Sequence, residues 1–210
     1  MELPNYATLK TEMVEPHVLV VTLNRPEVGN AIYTQLAFDE VVVAVGGVSI
    51  RPPLLGAQSN VVLAEDVLEQ MVRLGSRVVV IGGGLVGCET AEWIASEGRH
   101  VTLIEQLPDI ARDMELRTRK LLLQRMASFK VKIVYHTRVE RLEGDRAICS
   151  QGGVRFEIEG VDTFVLAMGY KADPFILPLK NKKVHRIGDC VQPRQALDAV
   201  HEGYLLGLEI

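Results

Sequence analysis

Val78-Val79-Val80-Ile81-Gly82-Gly83-Gly84-Leu85-Val86-Gly87-Cys88-Glu89-Thr90-Ala91 is the stretch that decides the fold. Arg77 to Ile81 is an apolar, β-branched run and predicts a buried strand. Gly82, Gly84 and Gly87 follow at Gly-x-Gly-x-x-Gly spacing, and Leu85 to Glu97 predicts a helix stopped by Gly98. Strand before and helix after are the two contexts that give this spacing meaning. Gly82 permits the tight turn, Gly84 lets backbone approach a pyrophosphate without a Cβ in the way, and Gly87 lets the helix pack close to the strand. The helix opens at Leu85 and Val86, where unbonded amides and the positive end of the dipole favour phosphate. His100 to Glu105 predicts a second strand whose last residue, Glu105, lies eighteen positions past Gly87. That is the place for an acid that accepts hydrogen bonds from an adenosine ribose. A carboxylate there repels a 2′-phosphate, and Gln106 rather than arginine follows it, so NAD(H) is favoured over NADP(H). The plainer alternative is a glycine-rich turn in an α/β protein with no ligand.

Working outward, a helix over about Asp113–Phe129 is expected to place Leu116, Leu121, Leu122, the stem of Arg125, Met126 and Phe129 on one side, followed by a strand over Val131–Tyr135. Strand, helix, strand, helix, strand with short connections is the pattern of a parallel sheet. Next comes an antiparallel meander: Arg138–Leu142, Arg146–Cys149 and Val154–Ile158. Val161–Ala167, apolar from Phe164 on, is expected to return to the parallel sheet. A strand over Val184–Ile187, then Gly188-Asp189-Cys190, and a helix over about Gln195–Leu208 close the chain. Upstream, strands are expected at His17–Leu23 and Glu40–Val45, and a short helix at Ala64–Leu74.

The 210 residues are 48% hydrophobic and 24% charged, enough for a sizeable core and unlike a disordered chain. A net charge of −4 argues against nucleic acid and polybasic membrane surfaces as partners. The longest charge-free apolar run, Val78–Cys88, is far too short to span a membrane. With no signal-like start, a cytoplasmic location is expected. Cys88, Cys149 and Cys190 are far apart, with no CxxC pair and no metal-ligand spacing. Cys88, on the first helical turn, reads as a buried small hydrophobe more than a dipole-activated thiol. His201 and Glu202 read as part of a solvated or packed helix face, and Trp93 as packing.

The quoted stretch resembles the nicotinamide-nucleotide domain of the two-dinucleotide flavoproteins (the FAD/NAD(P)-dependent pyridine-nucleotide oxidoreductases). Within them it is most similar to the C-terminal part of the NADH:flavin oxidoreductases related to old yellow enzyme, such as 2,4-dienoyl-CoA and 2-enoate reductases. Asp39–Gly47, Leu166-Ala167-Met168-Gly169-Tyr170, Ile187-Gly188-Asp189-Cys190 and Ala196–Gly203 match in the same order. The resemblance implies an electron-input module through which hydride passes from NAD(P)H to FAD, and onward by an iron–sulfur cluster and FMN to a TIM barrel. By the same resemblance Gly82, Gly84 and Gly87 would hold the pyrophosphate and Glu105 the ribose. Glu89, Met168 and Gly169 would lie near the nicotinamide, and Asp189 would face the ribityl chain of FAD. Asp189 as a mere turn cap is the competing reading.

This chain departs from the complete pattern. It has no FAD fingerprint before Gly46, no TIM barrel and no iron–sulfur cysteine cluster, so FAD is expected in complete relatives and not here. The expected fold is α/β: a Rossmann-like three-layer domain with a parallel sheet and an antiparallel meander, plus fragments of a flavin-type domain. The boundaries are 1–37, 38–60 (flavin-domain remnant), 61–172 (dinucleotide domain) and 173–210 (C-terminal remnant). Glu15–Ala31 resembles the opening strand and turn of enoyl-CoA hydratase (crotonase) proteins, or else is a β-hairpin that plugs a sheet edge. The leading functional reading is an NAD(H)-binding oxidoreductase module. Its rivals are an inactive fold fragment that forms a homodimer through exposed strands, and a crotonase-type CoA-thioester enzyme.

Overall fold

The computed structural model describes residues 9–15, 18–23, 40–53, 58–173 and 183–210. Strands β1 (Leu9–Glu15) and β2 (Val18–Leu23) form an antiparallel hairpin. β3 (Glu40–Val43), β4 (Gly47–Ser49) and β5 (Val61–Leu63) lead to a short helix α1 (Ala64–Leu68). Then come β6 (Arg77–Ile81), α2 (Leu85–Ser96), β7 (His100–Ile104), α3 (Leu116–Ser128) and β8 (Lys132–Val134). The meander is β9 (Thr137–Glu143), β10 (Arg146–Gln151) and β11 (Val154–Ile158). β12 (Thr163–Leu166), β13 (Tyr170–Ala172), β14 (Lys183–Arg186), a 3-10 turn over Gly188–Cys190 and α4 (Ala196–Gly207) complete the chain.

β5, β12, β6, β7 and β8 form one parallel sheet in that order. β6 from Val78 onward and β12 are buried on both faces, which is why Val78–Ile81 and Phe164–Leu166 read as continuous apolar runs rather than alternating ones. One face carries Val78, Val80, Leu103 and Val165 into a core with Cys88, Ala91 and Ile94 of α2 and Leu122 and Met126 of α3. The other carries Val79, Ile81, Ile104 and Phe164 against Leu142, Ala147 and Cys149 of the meander. Helices, parallel sheet and antiparallel sheet are the three layers expected, and Val161–Ala167 does return to the sheet, between β5 and β6.

Several expectations are corrected. The Ala64–Leu74 helix stops at Leu68, with Gln70 left-handed two residues on; Val72 and Leu74 pack on the core from irregular chain. α3 begins at Leu116, because the Glu115 carboxylate accepts the Arg117 and Thr118 amides and caps it there. Leu122 and Met126 face the core, while Leu116, Leu121 and Phe129 are 77%, 55% and 41% exposed, and Arg125 is exposed and pairs with Glu92 of α2. Residues 122 and 126 lie four apart on one stripe, and Leu121 sits about 100° round the helix from it. β1, β4, β5 and β13 carry too few residues or too little alternation to be read from sequence. The hairpin hydrogen-bonds within itself and extends no other sheet among the described residues, which gives the expected edge-plugging role no support. The Asn24–Glu27 break and the segment Ala31–Asp39 lie outside the described residues. No helix among the described residues is long and apolar enough to cross a membrane.

The outer pieces meet each other. β3 pairs in parallel with β14, Glu40 opposite Lys183 through Val43 opposite Arg186, and β4 pairs with β13. α4 packs at the end of this pair through Gly188, whose amide donates to the Glu202 carboxylate at 2.6 Å. Arg194 also pairs with Glu202, and the two donors hold that carboxyl below its usual range. Of the two readings of this face, solvated or packed, Glu202 thus takes the packed one.

The tightest packing lies where α2 leaves the sheet: a Cβ on Gly87 would sit 1.9 Å from the Gly82 carbonyl oxygen. Gly87→Ala is therefore expected to lower unfolding free energy by about 1–3 kcal/mol, read as a lower midpoint in denaturant with unchanged slope.

Candidate active site

β6 ends at Ile81, and the chain turns at Gly82, with φ +109° and its amide bonded to the Ile104 carbonyl of β7. A Cβ here would meet the Ala167 carbonyl oxygen at 2.2 Å, so strand β12 forces glycine at this position. Gly84 then caps α2 with no side chain, and the first intrahelical bond is from the Cys88 amide to the Gly84 carbonyl. The amides of Leu85, Val86 and Gly87 therefore precede the helical ladder. A Cβ at Gly84 would meet nothing within 4 Å, so the helix tip is open on that side. No acidic residue lies in the first turn to compete for the dipole.

Glu105 is buried at 8% exposure, and both carboxylate oxygens are engaged. Oε2 accepts the Gly83 amide at 2.6 Å and Oε1 the Leu107 amide at 2.7 Å. Each oxygen has capacity for a further donor, so the acid orders the glycine turn and can still receive a diol. Gly83, an unassigned position in the spacing motif, proves as constrained as its neighbours. A Cβ on it would meet the Ile110 side chain at 2.5 Å and Glu105 at 3.0 Å, and its carbonyl accepts the Ala111 amide at 2.7 Å. The middle glycine of an unbroken run of three is the signal that could have revealed it.

These groups line a cleft of about 540 Å³ at the carboxyl ends of β6, β7 and β12. That is where ligands enter open parallel sheets, between strands whose connections leave in opposite directions. Gly82, Gly84, Glu105, Met168 and Gly169 line it together. Leu85 and Val86 stand on the first helical turn beside it, and Gly87 is buried beneath. Glu89 is exposed further along α2. Asp189 lies in the 3-10 turn outside the cleft lining and accepts the Arg194 amide at 3.2 Å. The sequence reading missed Pro52, Pro53, Leu107, Thr137, Arg138, Val139, Glu140 and Ala167, which complete the walls. Thr137–Glu140 reach the cleft because the Thr137 amide bonds the Glu105 carbonyl at 2.8 Å, a long-range register that spacing does not encode.

The cysteines contribute packing. All three are free and buried. Burial pushes the Cys88 thiol up to about 12 despite its place on the first helical turn, and Cys149 up to about 11. No group of three or more metal-ligating side chains occurs among the described residues. At pH 8 a thiol with a pKa near 12 is ionised in roughly one molecule in ten thousand. Native protein is expected to resist iodoacetamide at Cys88 and Cys149 and to react after unfolding, as mass spectrometry of the labelled peptides will show.

Residues 11–186 match the family model for pyridine nucleotide-disulphide oxidoreductases. The chain is 32% identical over 202 residues to a bilirubin reductase of Mediterraneibacter gnavus, covering 94% of this chain and 31% of the relative. It is 33% identical over 186 residues to an NADH oxidase of Thermoanaerobacter brockii, covering 83% and 28%. Among solved structures, a 2-naphthoyl-CoA reductase in complex with 2-naphthoyl-CoA superposes with a TM-score of 0.75 at 32% identity, covering 82% of this chain and 27% of that one. The chain spans about a third of the length of the curated relatives it matches.

Proposed function

The chain belongs to the pyridine nucleotide-disulphide oxidoreductase family, and on that premise we propose that it is the NAD(H)-binding, electron-input module of an oxidoreductase of the enoate and dienoyl-CoA reductase type. The observation that carries this reading is the cleft in which an uncapped α2 tip, the open Gly84 backbone and the Glu105 carboxylate stand side by side. In that cleft the Leu85, Val86 and Gly87 amides would hold the pyrophosphate and Glu105 the adenosine ribose. Met168 and Gly169, after β12, would flank the nicotinamide, with Glu89 beyond them on α2. When bound, the dinucleotide supplies the hydride. The names of relatives, an NADH oxidase and several reductases, support redox chemistry of this class.

NAD(H) is favoured over NADP(H) because a buried carboxylate at the ribose would repel a 2′-phosphate. FAD is assigned to the longer relatives: among the described residues, one glycine turn alone leads into a helix N-terminus, and it is this one. Asp189 is assigned to flavin only where such a relative supplies the rest of that site. The register pairing of β3 with β14 supports reading 38–60 and 173–210 as two pieces of one flavin-type unit flanking the dinucleotide domain at 61–172. The segment 1–37 stands apart as the hairpin. A crotonase reading of Glu15–Ala31 gains no support, since the family match itself begins at residue 11.

Calorimetric titration tests the assignment. NADH is expected to bind with a dissociation constant on the order of micromolar, and NADPH about tenfold more weakly, with no heat from FAD. Glu105→Ala is expected to narrow the NADH–NADPH gap. Equal affinity for both nucleotides in the parent chain removes the ribose role of Glu105, and heat from FAD alone overturns the cofactor assignment.

A second reading, self-association, is favoured by one observation. Leu197, Val200, Tyr204 and Leu208 of the α4 region are 75%, 69%, 64% and 68% exposed, and they fall on one helical stripe. The edges of the β3–β14 pair stand beside it without further strands among the described residues. Light scattering is expected to give the mass of a dimer, and Leu197→Asp with Tyr204→Asp that of a monomer.

A further inference from the structure

The three layers leave a second cleft at the end of the parallel sheet opposite the dinucleotide site. The meander packs on the face of β6 and β7 that carries Val79, Ile81 and Ile104. Toward the amino ends of the strands that same face carries Arg77, His100, Thr102 and, from β8, Lys132. Register puts them there. Arg77 lies opposite His100 and Thr102 opposite Lys132, and strand alternation keeps His100 and Thr102 on one side. Lys130, left-handed at φ +59° after α3, closes the rim, and Ile158 and Val161 form the wall. The enclosed volume is about 320 Å³.

The basic groups have no ionic partner among the described residues. Arg77 Nη2 donates to the Glu159 carbonyl at 3.1 Å, and the guanidinium lies over Gly160, where a Cβ would stand 2.4 Å from Nη1. The neighbouring acid, Asp162, accepts the Arg77 amide at 2.8 Å. The ion pairs among the described residues include none of Arg77, His100, Lys130 or Lys132. On a chain of net charge −4, an arginine, two lysines and a histidine from three stretches of sequence converge on one concavity, a local reversal of sign.

We propose that this cleft binds a small anion bearing two or more phosphate groups. A fixed guanidinium fork, two ammonium groups and a hydroxyl suit several phosphate oxygens at once. The concavity admits a diphosphate-sized group and is too small for a nucleic-acid backbone to be seated along it. The site is separate from the glycine turn and does not depend on the nucleotide assignment.

Titration of the ¹⁵N-labelled chain with sodium pyrophosphate, followed by amide shifts, tests this, with sodium sulfate and chloride at matched ionic strength as controls. Saturable shifts are expected at Arg77, His100, Lys130 and Lys132, distinct from any set at Gly83–Cys88. Lys130 and Lys132 are exposed, so Lys130→Gln with Lys132→Gln is expected to leave the fold intact. That double variant should weaken the first set about tenfold or more and leave the second unchanged. Shifts confined to Gly83–Cys88, or a non-saturating drift equal to that of the control salts, overturn the proposal. Failure of NADH binding with the first set intact counts against the nucleotide reading alone.

Discussion

A buried carboxylate holding two backbone amides is the constraint on which the molecule's working end depends. Glu105 ties Gly83 on one side and Leu107 on the other, so the turn after β6 and the chain leaving β7 are fixed to one charged group. Charge-assisted bonds of this kind are about twice as strong as neutral ones, and removing the acceptor would leave two inward-facing amides unmet. The same group stands in the cleft wall. The orienting of the glycine turn and the recognition proposed for the sugar therefore draw on one side chain, and neither can be altered alone.

The central fold was legible because each layer leaves its own period in the sequence. Val78–Ile81 and Phe164–Ala167 are apolar throughout because helices cover one side and the meander the other. Glycine punctuation marked α2 at both ends, and the Glu143-Gly144-Asp145 turn marked the β9–β10 hairpin. α3 was legible as a helix but not in its start, since Glu115 as a cap is one carboxylate among several nearby. Its inward stripe was over-read, because four leucines in eight residues exceed what one face can hold. The short strands β4, β5 and β13 are each set by a partner more than a hundred residues away, which local pattern cannot announce.

The candidate site divides in the same way. Gly82, Gly84 and Glu105 were legible because a turn, an open backbone and a strand-end acid each demand a particular residue type at a particular spacing. Arg138, Val139 and Glu140 were not, since they come to the cleft through a tertiary register. Cys88 shows two effects in competition. The helix tip would lower its pKa and burial raises it, and burial prevails.

The pairing of β3 with β14 brings together residues 143 positions apart, with the whole three-layer domain between them. Closing so long a loop contributes little to stability but slows assembly. On a ribosome, Glu40–Val43 emerges well before its partner exists, and must wait unmatched while the intervening layers condense. Assembly thus runs from the middle outward, and the last step is the clasping of the two ends. A nascent chain halted before residue 183 would carry a finished centre and a bare valine strand, the form most exposed to capture by a neighbouring chain.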